Sequence, residues 1–226
     1  MGGNIVCDDL WVIASPRHHE RRNGTAMSKT LGKNLQMIED TSGGAGFLTR
    51  RLSQSELHKR FVDALGSDKV LLHGELDEKP IVLDLKAPLP QHVRLYLFNA
   101  TRPPGGRPLG EHKVQLIVPG QKRGVRGNFD HSGRRIVLLA GYSVDEDVFV
   151  FWDAGLYSNF AWSRNVQVKV ETIIQASAGK IATQNRVLRP RNEPATTEVL
   201  VAARADKLDV AISKRIELTR TRMLQE

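Results

Sequence analysis

Cysteine is almost absent from this chain, since Cys7 is the only one among 226 residues. A disulfide framework and a cysteine-based zinc site each need at least two cysteines, so both are excluded within one chain. No apolar run approaches the roughly 18 residues of a membrane-spanning helix. The first residues lack the basic segment and long apolar stretch of a signal peptide. These absences predict a cytoplasmic protein with no membrane partner.

Acidic residues are fewer than basic ones, with 25 Asp and Glu against 33 Lys and Arg, which gives a net charge of +8. The surplus is uneven, because residues 91–135 hold nine basic side chains and only two acids, Glu111 and Asp130. A local basic surplus suits a polyanionic partner such as a nucleic acid. A solvated basic surface without a partner is the alternative reading.

Four parts are predicted along the chain: a tail and flexible linker over 1–46, an N-terminal helix within 47–66, a β domain over 67–204 and an amphipathic helix within 205–226. The N-terminal helix is predicted over Leu52–Leu65, where apolar residues share one face. Ser53 or Ser55 can cap its start, and Gly66 ends it.

Beyond Gly66 the hydrophobic period changes to two, which is typical of strands. In His92–Phe98, for example, Val93, Leu95 and Leu97 alternate with the other side chains. The predicted strands are Lys69–Leu72, Pro80–Leu85, His92–Phe98, Lys113–Val118, Arg135–Ala140, Asp147–Trp152, Asn165–Val170 and a later one at Glu198–Ala203. Helices are predicted at Glu171–Ser177 and Asp206–Leu224. Many short strands separated by turn signals indicate a barrel or a sandwich.

Loops rich in Arg, Gly, Ser and Asn lie between these strands. They run from Asn99 to Lys113, from Gly120 to Asn128 and from Gly155 to Gln167. Cationic, amide and aromatic side chains held on loops over a β-scaffold are what a protein needs to grip and read a nucleic acid.

The runs RLYLFNATRPPGGRPLGEHKVQLIVPGQ and IVLLAGYSVDEDVFVFWDAGLYSNFAWSRNVQVK, followed by the helix ETIIQASAG, resemble the B3-like DNA-recognition domains of restriction endonucleases. Domains of this kind occur at the N-terminus of EcoRII and at the C-termini of BfiI and NgoAVII. The resemblance covers about Val70 to Arg204. It implies a mainly β fold with flanking helices, an open seven-stranded pseudobarrel preceded here by an N-terminal helical extension.

The same resemblance implies two arms that grip the major groove, an early arm over Thr101–Lys113 and a late arm over Leu156–Asn165. It implies double-stranded DNA as the partner, read as part of a restriction-modification system, with sensitivity to cytosine methylation left open. Cleavage is expected from a nuclease domain or subunit elsewhere, and a homodimer is a further expectation. No cofactor, catalytic residue or metal ligand is assigned.

Particular side chains in the loops suit particular contacts. Arginines pair with guanine and asparagines with adenine, serines reach phosphates or base edges, and glycine-flanked lysines and arginines suit phosphates. Tyr157, Phe160 and Trp162 either brace the late arm or touch a base methyl group, and the last two are alternatively core residues. The candidate DNA-binding residues are Arg102, Arg107, His112, Lys113, Lys122, Arg123, Arg126, Asn128, Tyr157, Ser158, Asn159, Trp162, Ser163, Arg164 and Asn165.

A small Mg²⁺-dependent nuclease of the PD-(D/E)xK type is the alternative function. Such a site needs two acids to hold the metal and a lysine to help activate water. Glu75 or Asp77, followed by Asp84 and Lys86, has a tolerable spacing, and Glu111–His112–Lys113 also reads E-x-K. Patterns this short arise often by chance. A third reading is a basic β-barrel that binds RNA or a protein.

Overall fold

The computed structural model describes residues 49–102, 110–189 and 194–225. The chain divides into two units, 1–43 and 44–226, and every described residue lies in the second. The predicted tail over 1–46 and the candidate Arg107 lie outside the described residues.

Three helices and nine strands make up the described part of the chain. The helices are α1 (Gln54–Leu65), α2 (Val170–Ser177) and α3 (Leu208–Met223). The strands are β1 (Val70–His73), β2 (Ile81–Leu85), β3 (His92–Asn99), β4 (Glu111–Leu116), β5 (Ile136–Ser143), β6 (Val148–Trp152), β7 (Arg164–Lys169), β8 (Ala182–Leu188) and β9 (Thr196–Arg204). Short 3₁₀ turns occupy Ala154–Leu156 and Ala205–Lys207. None of these helices is long and apolar enough to cross a membrane.

Seven strands form one mixed sheet in the order β1-β2-β3-β5-β6-β9-β8, and β4 pairs with β7 in a separate two-stranded sheet. Within the large sheet β3 and β5 are parallel, and the other neighbours are antiparallel. The mainly β class with flanking helices is therefore confirmed. The strands that the structure describes do not close into a barrel.

Both faces of the large sheet are covered, which gives the described part of the chain three layers. On one face α1 and α3 pack through residues such as Phe61 and Ile212. On the other face the β4–β7 pair and α2 pack through Val114, Val166 and Ile173. Burial on both faces explains why all five residues of β6 are apolar and buried.

The start of α1 follows the sequence prediction closely. The hydroxyl of Ser53 accepts from the backbone N–H of Glu56, whose carboxylate accepts in return from the backbone N–H of Ser53. This reciprocal pair satisfies two of the amide donors that a helix start leaves free. Gly66, with a φ of 84°, ends the helix in a backbone region that favours glycine.

The sequence prediction missed β8. Only its two end residues are buried, and the five residues between them alternate between exposed and half-buried. The exposed ones are Thr183, Asn185 and Val187. β8 is also an edge strand that pairs with β9 alone. An edge strand with a polar middle lacks the apolar alternation by which strands are found in a sequence.

Candidate nucleic-acid interface

The antiparallel pair of β4 and β7, which we call the ribbon, presents one face to solvent. Its inward side chains are buried, among them Val114, Val166 and Val168. Its outward side chains lie opposite each other in the register Glu111–Lys169, Lys113–Gln167 and Gln115–Asn165. We call these six residues the ribbon face. Four of them are exposed and two are half-buried.

The ribbon face combines hydrogen-bonding and cationic side chains. Three of its six side chains are amides, which both donate and accept hydrogen bonds, and two are lysines. The single acid, Glu111, lies directly opposite Lys169. A two-stranded ribbon is narrow enough to enter the major groove of B-form DNA.

The segment Gly120–Asn128, which we call the basic loop, is joined to the late arm. Gly127 and Phe160 exchange two backbone hydrogen bonds of 2.8 and 3.0 Å. The Arg126 guanidinium donates from Nε to the carbonyl and side-chain oxygens of Asn159, at 2.6 and 2.9 Å. Lys122 and Arg123 are exposed on the same loop. The structure thus brings two separate stretches of basic and amide residues together.

Two residues of the late arm adopt left-handed backbone conformations, with φ of 46° at Asn159 and 63° at Ser163. Such values are uncommon for residues other than glycine and persist where surrounding contacts hold them. The Asn159 backbone N–H donates to Asn128 Oδ1 at 2.5 Å, and the Ser163 hydroxyl is bonded to Gln115. The arm is therefore held in shape by the basic loop on one side and the ribbon on the other.

A buried polar network anchors the late arm to the sheet. The Tyr157 hydroxyl donates to Glu198 Oε2 at 2.6 Å, and Glu198 Oε1 accepts from the Asp153 backbone N–H at 3.2 Å. Burial raises the pKa of both Tyr157 and Glu198. The Asp153 carboxylate also accepts from Arg222 of α3 at 2.9 Å and from Arg215 at 3.3 Å.

The aromatic candidates divide by burial. Tyr157 and Phe160 are enclosed, and Phe160 packs on Phe129 with a centroid distance of 5.1 Å. Bracing of the arm, rather than contact with a base, fits both positions. Trp162 is 39% exposed and is accessible to a partner. Arg164 is half-buried, with its guanidinium 5.2 Å from the centre of the Tyr157 ring.

The described parts of the early arm lie at the other end of the ribbon. This arm precedes β4 and the late arm precedes β7, so the antiparallel pairing separates the two. Arg102 is exposed and bonded to the Glu146 carboxylate, and Thr101 pairs with Lys113 through two backbone hydrogen bonds. The remaining candidate of this arm, Arg107, lies outside the described residues.

His112 is enclosed between the ribbon and the large sheet and is not accessible to a duplex. Its Nε2 lies 3.6 Å from Glu146 Oε2, and neither ring nitrogen makes a hydrogen bond within the part of the chain that the structure describes. Burial lowers the pKa of His112, despite the opposing effect of Glu146. His112 is thus a buried, neutral residue on the inner side of β4.

The remaining candidates are distributed between the ribbon and the loops. Ser158, Asn159, Asn128 and Asn165 are exposed, and Ser163 and Lys113 are half-buried.

The residues of the nuclease alternative do not assemble into a metal site. Asp84 is bound by His92 at 2.9 Å and by Arg135 at 3.1 Å, and these partners lower the pKa of its carboxyl group. Glu75 and Asp77 lie exposed in the loop between β1 and β2, and Lys86 is exposed beyond β2. Across the described ranges, no group of three His, Cys, Asp or Glu residues is placed to hold a metal ion.

Four residues of the ribbon face were missing from the candidate DNA-binding residues, namely Glu111, Gln115, Gln167 and Lys169. A signal for them was present in the sequence. In EHKVQL and RNVQVK every second residue is charged or an amide, and most of the intervening residues are Val or Leu. The alternation predicts an outward polar row on both strands. Only the pairing of β4 with β7, which sequence spacing does not specify, joins the two rows into one surface.

The family described as methylase-associated X1 has a model that matches residues 91–212, more than half of the chain. The match runs from the turn before β3 into α3, so it includes the ribbon, the basic loop and the late arm. No curated protein and no solved structure matches the chain. A methylase-associated domain fits a restriction-modification context.

Proposed function

The chain belongs to the methylase-associated X1 family, and from this premise we propose that it is a double-stranded DNA-binding module of a restriction-modification system. The ribbon face enters the major groove, and the basic loop and late arm contact the flanking backbone. Recognition is sequence-specific, because amides at fixed positions on strands present their donors and acceptors in a defined order.

The observation that carries this proposal is the composition and register of the ribbon face. Three exposed amides and two lysines stand on a narrow, regular support, and their neighbours inside the ribbon are fully buried. Base readers on strands are better fixed than readers on loops, since packing of the inward side chains holds the strand in place.

Cations at the edge of the ribbon supply the affinity that does not depend on sequence. Lys122 and Arg123 are exposed on a loop with glycines, which suits phosphate oxygens more than base edges. The Arg126 side chain is bonded to Asn159 of the late arm, so it contributes less to direct phosphate contact than Lys122 and Arg123. The early arm, through Arg102, provides a further cation at the opposite end of the ribbon.

The B3-like architecture is part of the proposal, with the early and late arms holding the DNA backbone on either side of the groove that the ribbon face enters. The antiparallel ribbon supports it by separating the described ends of the early arm from the late arm. Cleavage is assigned to another domain or subunit, and assembly into a homodimer and sensitivity to cytosine methylation stay predictions.

A competition experiment tests the function. Binding of the full chain to a labelled random duplex is followed by fluorescence anisotropy between about 50 and 200 mM salt, with duplex DNA, single-stranded DNA and duplex RNA as competitors. Duplex DNA is expected to compete best, because the A-form major groove of RNA is too narrow for a ribbon. Absence of duplex binding, or a preference for RNA, would contradict the proposal.

The salt dependence tests the role of the basic loop. The double variant Lys122→Ala/Arg123→Ala removes two proposed phosphate contacts, so the slope of log K against log salt should become shallower by about 1.8. The control Lys59→Ala/Lys214→Ala removes the same charge from α1 and α3, which pack on the opposite face of the large sheet from the ribbon. The control should keep the parent slope; an equal change in both variants would refute the assignment.

A further inference from the structure

The amides of the ribbon face are grouped at one end of the ribbon, and their positions suggest which base the protein reads. Gln115 lies directly opposite Asn165, and Gln167 follows Asn165 by two residues on the same face. All three are exposed. Directly opposite residues of an antiparallel pair have Cβ atoms about 5 Å apart, so these amides form one continuous patch.

The spacing of this patch matches that of stacked base pairs. A strand rises about 3.4 Å per residue, so Asn165 and Gln167 stand about 6.8 Å apart along β7. Stacked bases are about 3.4 Å apart along one DNA strand. The two side chains can therefore reach bases two base pairs apart while β7 keeps its regular strand conformation.

The amide group selects one base by its chemistry. An asparagine or glutamine side chain accepts a hydrogen bond from adenine N6 and donates one to adenine N7. Guanine offers two acceptors at the same edge, which suits arginine or lysine instead. None of the six residues of the ribbon face is an arginine, and its two lysines, Lys113 and Lys169, are not part of the amide patch.

Adenine methylation acts on the same atoms. In a duplex one hydrogen of adenine N6 pairs with thymine, and the other points into the major groove. A methyl group on N6 replaces the groove-facing hydrogen, so the side-chain oxygen loses its donor and meets a methyl group instead. An amide-based reader is therefore blocked by the modification, without any dedicated pocket.

We propose that the ribbon face reads adenine through Asn165 and Gln167, with Gln115 completing the patch, and that it rejects N6-methyladenine at those positions. This inference rests on the proposed function and specifies its ligand. A chain of this type binds unmodified sites and leaves adenine-methylated ones unbound, which separates DNA that a methylase has modified from DNA that it has not.

Selection from a random duplex pool with the full chain identifies the bound sequences. Their affinities are then compared with copies that carry N6-methyladenine at each adenine in turn, and with copies that carry 5-methylcytosine. We expect enriched adenines, and affinity about 5- to 100-fold lower when a contacted adenine is N6-methylated. The variants Asn165→Ala and Gln167→Ala should each bring the affinity ratio of unmodified to methylated duplex close to one at a single position.

Asn185→Ala is the matched control, because Asn185 is an exposed strand amide on β8. The side chain of its neighbour Gln184 accepts a hydrogen bond from the Lys169 backbone N–H of β7, so the Asn185 side chain lies on the opposite face of β8. This control should keep the parent ratio. Duplex binding without adenine enrichment, or with equal affinity for N6-methylated duplexes, would overturn the inference and leave the proposed function standing. Absence of any duplex binding would overturn both.

Discussion

His58, in α1, shows how burial sets the charge of a single side chain. It is fully buried, its Nδ1–H donates to the Leu76 carbonyl at 2.7 Å, and its Nε2 accepts from the Gln54 amide at 2.8 Å. The same Gln54 nitrogen donates to the Leu97 carbonyl, which fixes the orientation of the amide. Desolvation by burial, with a smaller contribution from Lys79, lowers the pKa of His58 to about 4.

This pKa predicts how stability depends on pH. The unfolded chain takes up a proton at His58 below about pH 6.5, whereas the folded protein does so only near pH 4. The contribution of His58 is therefore constant above pH 6.5 and is lost as the pH falls from 6.5 towards 4. Between pH 7 and 5 the free energy of unfolding should fall more steeply for the parent than for His58→Gln. Urea titrations at each pH measure both slopes; parallel slopes would show that His58 does not titrate in this way.

At the scale of elements, the late arm is anchored by one buried contact near its start. Tyr157 connects the arm to Glu198 of β9, and Asp153, just before the arm, is bound by α3. The variant Tyr157→Phe removes one hydrogen bond to a buried carboxyl group, which costs about 1–3 kcal/mol of stability. Chemical denaturation measures this loss. Ser158→Ala, at the exposed neighbouring position, should stay within about 0.5 kcal/mol of the parent, and a loss as large as that of Tyr157→Phe would contradict the anchoring role.

Elements with a clear periodicity or a clear cap were predictable from the sequence. Ser53 caps the start of α1 and Gly66 ends it, as predicted. The ranges of β3, β6 and α2 lie close to the predicted ones. The polar edge strand β8 was not found, because its apolar alternation is weak. The loops predicted to bind DNA include the basic loop and the late arm, but sequence alone did not indicate that they touch.

At the scale of the whole molecule, the ribbon and the large sheet approach each other closely at Gly141 of β5. A Cβ atom at this position would lie 2.6 Å from Val114 Cγ2 of the ribbon and 3.1 Å from the Trp152 ring. Glycine here is therefore a requirement of the layer spacing. The sequence indicated a barrel or a sandwich, and the described strands form a ribbon stacked on an open sheet. This arrangement depends on long-range pairing that local patterns do not encode.

The variant Gly141→Ala tests this packing. Overpacking of a tight core costs about 1–3 kcal/mol, which exceeds the gain of about 0.4–1 kcal/mol from reduced freedom of the unfolded chain. Thermal and urea unfolding should both show the loss. Gly110→Ala is the control, because a Cβ there meets no atom within 4 Å. Equal stability of the two variants would mean that the ribbon can move away from the sheet without cost.

The central claim is that duplex DNA binds on the ribbon face, and two charge-matched variants test it directly. Gln167→Glu and Asn185→Asp each replace an exposed strand amide by its nearly isosteric acid, one on the ribbon and one on β8. Both lower the net charge by the same amount. The measurement is the Kd of each variant for the selected duplex. Gln167→Glu should raise Kd about tenfold or more, because a carboxylate meets acceptors and phosphates in the groove, and Asn185→Asp should stay within about twofold of the parent. Equal Kd values for the two variants would contradict the account.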